Sequence, residues 1–185
     1  MKRYLPCALT TWRLLLGPVA LICALMNVSR WVFLPILLTG TLSDIYDGIH
    51  ARHFRVATPA LRRYDSVTDV IYYLFILAAA YLLCKPVLMQ NRALIALILL
   101  SEAGTILVAY LRFGKYPATH SYLAKFYGLC LLTALIGLLV FNAGSWLIVG
   151  LSTVALVTNL EIIAIHCLMN TPPVDVRSIF SRPKR

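Results

Sequence analysis

Apolar residues run along this chain in six long stretches, separated by short polar interruptions. A helix of roughly 20 apolar residues crosses a hydrocarbon core, at a rise of about 1.5 Å per residue. The predicted spans are 10–27, 31–52, 59–84, 88–112, 121–141 and 145–169. The connections carry turn residues: Asn27-Val28-Ser29, Lys85-Pro86, Gly114-Lys115-Tyr116-Pro117 and Asn142-Ala143-Gly144. No linker, repeat or low-complexity segment stands out. The expected fold is therefore all-α, a polytopic membrane bundle of six transmembrane helices. One domain is expected over 1–170, followed by a basic tail, 171–185, that moves freely or lies on the membrane surface. The opening has the basic-then-apolar outline of a signal peptide. Arg13 interrupts the apolar run and no small-x-small cleavage site follows, so an uncleaved first helix is expected.

Composition agrees with that pattern. Hydrophobic residues make up 61% of the 185 and charged residues only 13%, with mean hydropathy +0.82. Such a chain cannot cover a soluble surface. Five cysteines occur singly, without a CxxC pair, which argues against a disulfide framework and a zinc site. The net charge of +10 is not a nucleic-acid signal, because the basic residues flank apolar segments. Of the seventeen Lys and Arg, thirteen fall on one side of the predicted spans and three (Arg30, Lys85, Arg92) on the other, with Arg13 inside the first span. That imbalance places both termini and the 52–63 connection in the cytoplasm. Anionic headgroups, membrane lipids and phosphorylated substrates are the natural partners, and nucleic acid is not one. The expected location is the bacterial plasma (inner) membrane.

Against this background the acidic residues are out of place. Four of the seven, Asp44, Asp47, Asp65 and Asp69, sit at the facing ends of the second and third spans. Counted from Arg52 and Pro59, their depths are about 12, 8, 9 and 15 Å. Spacings of i,i+3 and i,i+4 put each pair on one helical face. Four carboxylates converging in low dielectric repel one another and need cations or protons. Hard divalent ions suit clustered carboxylate oxygens. The plainer alternative is an ion-pair network with Arg52, Arg62 or Arg63. Ionisable groups inside membrane helices are functional by default, because each is costly to insert.

The pattern Asp44-x2-Asp47-Gly48-x2-Ala51-Arg52-x8-Leu61-x3-Asp65-x3-Asp69 resembles the signature of the CDP-alcohol phosphatidyltransferase family, D-x2-D-G-x2-A-R-x8-G-x3-D-x3-D. Seven of its eight fixed positions match; Leu61 replaces the second glycine. The segment LTTWRLLLGP, with Thr10, Arg13 and Pro18, is similar to the family's opening, and THSYLAKFYG more weakly to a later run. The resemblance implies a transferase of phospholipid biosynthesis acting on a CDP-linked lipid such as CDP-diacylglycerol. The hydroxyl of an alcohol acceptor attacks the lipid-side phosphorus and expels CMP. Asp44, Asp47 and Asp65 would ligate Mg²⁺ or Mn²⁺, two ions per site, and Asp69 would be the catalytic base, touching a metal as well. Gly48 and Ala51 would leave room for the nucleotide. Arg52 would face phosphate or anchor the helix at the membrane surface. The site would lie on the cytoplasmic side, and assembly as a homodimer is left open.

Arg112, Lys115, His120 and Lys125 bracket the connection between the fourth and fifth spans. They could hold an acceptor's phosphate or headgroup, or simply flank the membrane. Arg13 is expected to face the bundle, and Glu102 and Glu161 to bond across helices. Two other functions stay open: a catalytically degenerate relative serving as a membrane subunit, and a cation transporter with acids along its path. Asp65-Ser66 and Asp69-Val70 lack the Asp-Pro and Asp-Lys that accompany glycerol-phosphate acceptors in the family, and the acceptor alcohol is not selected further.

Overall fold

A computed structural model describes residues 5–54, 58–114, 119, 121–173, 176, 178 and 179, with backbone alone at 51, 52, 59, 60, 62, 63 and 66. Among the described residues six helices are present: α1 (Leu5–Leu25), α2 (Phe33–His53), α3 (Pro59–Gln90), α4 (Arg92–Phe113), α5 (Tyr122–Leu139) and α6 (Trp146–Leu168). A single 3-10 turn, Arg30–Val32, leads into α2, and no strand occurs among the described residues. Each helix contains a stretch long and apolar enough to cross a membrane. The chain is an all-helical, multi-pass membrane protein.

Local chemistry explains the ends. Beyond α1, Asn27 takes φ 50 and the Val28 N–H reaches the Cys23 carbonyl at 3.0 Å. Asparagine tolerates this left-handed position, and the bond satisfies an otherwise orphaned carbonyl. α3 starts on Thr58, whose Oγ1 accepts the Leu61 N–H at 3.2 Å, with Pro59 as its first residue. A threonine cap followed by proline is a strong helix start, since proline's missing N–H would be unpaired there anyway. α4 closes on Gly114, at φ 62.

The turn predicted at Lys85-Pro86 is instead a kink inside α3, which continues to Gln90. Cys84 leaves helical geometry (φ −127°, ψ 26°), because Pro86 cannot donate a backbone bond and its ring crowds the preceding turn. Arg30 Nη2 donates to the Leu83 carbonyl beside the kink at 2.8 Å, and its Nη1 to the Leu138 carbonyl on α5 (Tyr122–Leu139) at 3.3 Å. Arg30 thus has a structural partner as well as a place in the charge asymmetry. Asn91 makes the reversal into α4, its side-chain amide held by Ser145 Oγ at 2.7 Å.

The chain divides into two units, Met1–Lys85 with Leu135–Ala143, and Pro86–Ala134 with Gly144–Arg185. In the first, α1 packs along α2, with small buried residues such as Ala20, Ala24, Ala79 and Ala80 among its core. Small side chains let helices approach where lipid supplies no hydrophobic contrast. In the second, α4 packs along α6, and Asn159 donates to Ser101 Oγ at 2.8 Å. Large apolar residues such as Leu15, Leu107 and Leu160 stay exposed, as a lipid-facing surface requires.

Candidate active site

The first unit gathers the four aspartates. Asp44 and Asp47 come from α2, Asp65 and Asp69 from α3. Carboxylate oxygens of Asp44, Asp47 and Asp65 all lie within 4.8 Å of one another. Three of the four acids, read from two separate helices, thus come close together.

Two glycines set how closely α3 approaches. A Cβ at Gly40, one turn before Asp44, would stand 2.5 Å from Tyr72 Oη and 2.8 Å from its Cζ. A Cβ at Gly17, one turn beyond Arg13, would stand 2.9 Å from Phe75 Cδ2 and 3.2 Å from its Cβ. Larger residues would push α3 away from both neighbours. Thr11 Oγ1 and Tyr64 Oη, 3.0 Å apart, add a bond between α1 and the start of α3.

At the centre is Arg13, only 2% exposed, from α1. Its Nη1 pairs with Asp44 and, at 3.0 Å, with Asp69; its Nη2 pairs with Asp65 and, at 3.5 Å, with Asp47. Thr10, one turn earlier on the same face, places Oγ1 3.1 Å from Asp47 Oδ2 and 3.0 Å from the Pro6 carbonyl. Asp47 is 5% exposed, whereas Asp44, Asp65 and Asp69 are 49%, 34% and 36% exposed. The cluster therefore has a closed floor at Arg13, Thr10 and Asp47 and an open side through the other acids.

One guanidinium offsets one of four negative charges. The donor set, carboxylate oxygens throughout, suits a hard divalent cation. The separations suit it too: opposite oxygens around such an ion lie about 4 to 5 Å apart, twice a metal–oxygen bond of about 2.1–2.5 Å.

The remaining predicted residues fall as follows. Gly48 is half-buried on α2, directly after Asp47. Ala51 and Arg52 lie on α2, and their side chains, with those of Arg62 and Arg63, are outside the described residues. Among the described side chains the acids pair with Arg13; the ion-pair alternative with Arg52, Arg62 or Arg63 falls on side chains outside the described residues. Leu61, half-buried, occupies the first turn of α3. In the second unit Arg112 is exposed and donates to the Met169 carbonyl at 3.2 Å, while Lys125 stands 5.8 Å over the Tyr122 ring. Lys115 and His120 lie outside the described residues. Glu102 accepts from Tyr127 Oη at 2.5 Å, joining α4 to α5. Among the described residues Glu161 bonds to the tail rather than to a neighbouring helix, accepting from Ser178 Oγ at 3.1 Å and from the Ile179 N–H at 3.4 Å. That end of the tail is held by α6. His166 is buried, with Nε2 3.0 Å from Thr119 Oγ1.

Arg13 and Thr10 are the site residues that the reading of the acids left out. The signal for them was present: a cation and a hydroxyl at i,i+3 in an apolar helix need polar partners inside the bundle. The model of the CDP-alcohol phosphatidyltransferase family matches residues 3–163. No curated protein and no solved structure matches the chain. The family match spans the whole acidic site and five of the six helices in full, and the chain belongs to the CDP-alcohol phosphatidyltransferase family.

Proposed function

We propose that this protein transfers the phosphatidyl group of CDP-diacylglycerol, or a closely related CDP-lipid, to a small alcohol in phospholipid synthesis, releasing CMP. The observation that carries this reading is the convergence of Asp44, Asp47, Asp65 and Asp69 from two helices onto one polar cluster. Family membership supports the reaction class, transfer from a CDP-alcohol, and the family generally uses divalent metal.

Asp44, Asp47 and Asp65 are the proposed holders of Mg²⁺ or Mn²⁺. The metal would neutralise the diphosphate and the charge building on the departing CMP. Asp69 is the proposed base. It is partly exposed on the open side, where an acceptor hydroxyl can approach it. The hydroxyl oxygen bonds to the lipid-side phosphorus, the bond from that phosphorus to the CMP oxygen breaks, and the hydroxyl proton passes to Asp69. Gly48 and Ala51 are proposed to flank the nucleotide, and Arg52 to meet its phosphates. Arg112, Lys115, His120 and Lys125 are candidates for the acceptor's phosphate or headgroup. The charge asymmetry of thirteen to three supports a cytoplasmic face for the site and both termini.

The test is incubation of purified protein with CDP-diacylglycerol and a panel of alcohols, measuring CMP release with Mg²⁺, with Mn²⁺ and with EDTA. Metal-dependent CMP release with at least one alcohol is expected. Undiminished turnover in metal-free buffer would refute the metal assignment. One observation favours a second reading, a catalytically degenerate membrane subunit: Leu61 stands where the family signature has glycine.

A further inference from the structure

Arg13 sits on the same carboxylates that a metal would need. Nη1 contacts Asp44 Oδ1 and Asp69 Oδ1, and Nη2 contacts Asp47 Oδ2 and Asp65 Oδ1. Three of these carboxylates form the group whose oxygens are close enough to share one ion. An oxygen lone pair engaged by an N–H is not offered to a metal, and a dication beside a guanidinium is repelled by it. The arginine is also fixed in place. It is buried, and α1 and α2 pack along their length. Arg13 and a bound metal therefore contend for one set of carboxylates.

We propose that Arg13 is a built-in competitor of the divalent metal, bridging the four acids and setting the metal concentration at which the site loads. The inference rests on the metal-dependent reading above and makes Arg13 a positioning residue acting through the four aspartates. A scaffold and a competitor predict opposite signs. If Arg13 only gathered the acids, its removal would let them spread and would weaken metal binding. If it competes, its removal frees oxygens, lifts the repulsion and tightens metal binding.

The experiment measures Mn²⁺ binding to the purified full chain in detergent, without lipid substrate, from the electron paramagnetic resonance signal of free Mn²⁺. Arg13→Gln should lower the Mn²⁺ Kd by about tenfold or more, since a unit positive charge is removed within a few ångströms of the ion. Arg13→Lys keeps the charge but gives up the planar fork that spans four carboxylates, and should tighten binding about threefold. The rise in thermal midpoint on adding Mn²⁺ should grow in the same order. If Arg13→Gln does not fold, Arg13→Lys decides alone. Equal or weaker Mn²⁺ affinity in the folded variants, with wild type binding normally, overturns the proposal. Failure of the wild type itself to bind Mn²⁺ would instead remove the metal reading beneath it.

Discussion

Gly40→Ala tests whether close approach of α3 to α2 positions the acids. The new Cβ would meet Tyr72 at 2.5 Å (Oη), 2.8 Å (Cζ) and 3.4 Å (Cε1). Against an ordinary separation of about 3.5 Å the deficit is roughly 0.7 Å or more. Tyr72 is 2% exposed, so its ring has no solvent to swing into. The strain falls on the spacing between the helix carrying Asp44 and Asp47 and the helix carrying Asp65 and Asp69. Overpacking of this kind costs about 1–3 kcal/mol, and alanine's better helix propensity returns up to about 1 kcal/mol. Net destabilisation of about 1–2 kcal/mol is expected. The chemistry should suffer more than the fold. Misplacement by about 1 Å costs on the order of a hundredfold, so a shift of half the deficit lowers turnover about fivefold. Initial rates of CMP release under saturating Mg²⁺, paired with thermal unfolding in detergent, measure both effects. Tyr72→Phe removes the nearest atom and leaves Cζ, so the double variant should recover part of the loss. Wild-type rate and stability in Gly40→Ala, or a double variant no better than the sum of the singles, would refute the packing argument.

Asp69→Asn should cut CMP release by about 10²- to 10⁴-fold while nucleotide binding persists, because an amide cannot take the hydroxyl proton. Near-normal turnover in that variant would remove the base assignment. Leu61→Gly should leave CMP inhibition and the CDP-diacylglycerol KM unchanged or tighter, with a stability loss of up to about 1 kcal/mol in the first turn of α3. Activity found only in Leu61→Gly would establish the degenerate-relative reading for the natural chain. Sidedness is tested with single cysteines replacing Arg55 or Asn142, in a chain cleared of its five native cysteines. In sealed vesicles, labelling at Arg55 from the cytoplasmic face and at Asn142 from the opposite face is expected; the reverse would overturn the orientation, and labelling of both from one face the helix count.

The helices and the acids were legible because both depend on short-range pattern. Apolar length alone marks a span, and i,i+3 and i,i+4 spacing fixes which side chains share a face. The end of α3 was misread because proline is a break signal in most sequences. Inside a membrane helix it is tolerated when another group satisfies a carbonyl beside the kink, as Arg30 does here for Leu83. That partnership joins residues more than fifty positions apart and leaves no local trace. The part of Arg13 is of the same kind. Its residue type demanded a partner inside the bundle, but only the packing of α1 against α2 and α3 showed that it meets all four aspartates.

Arg13 also bears on how the chain enters the membrane. α1 carries this cation and no acid, so an inserting α1 bears the cost of an arginine in lipid, about 2.5–3.5 kcal/mol on translocon scales. The counter-charges follow in order of synthesis: Asp44 and Asp47 arrive with α2, Asp65 and Asp69 with α3. Neither α1 alone nor the two acidic helices alone is electrically comfortable in hydrocarbon. The charges carried by the first three helices are therefore fully matched to their partners only once all three have been made. A nascent chain halted before α2 would leave Arg13 without a counter-charge, whereas one halted before α3 already supplies Asp44 and Asp47.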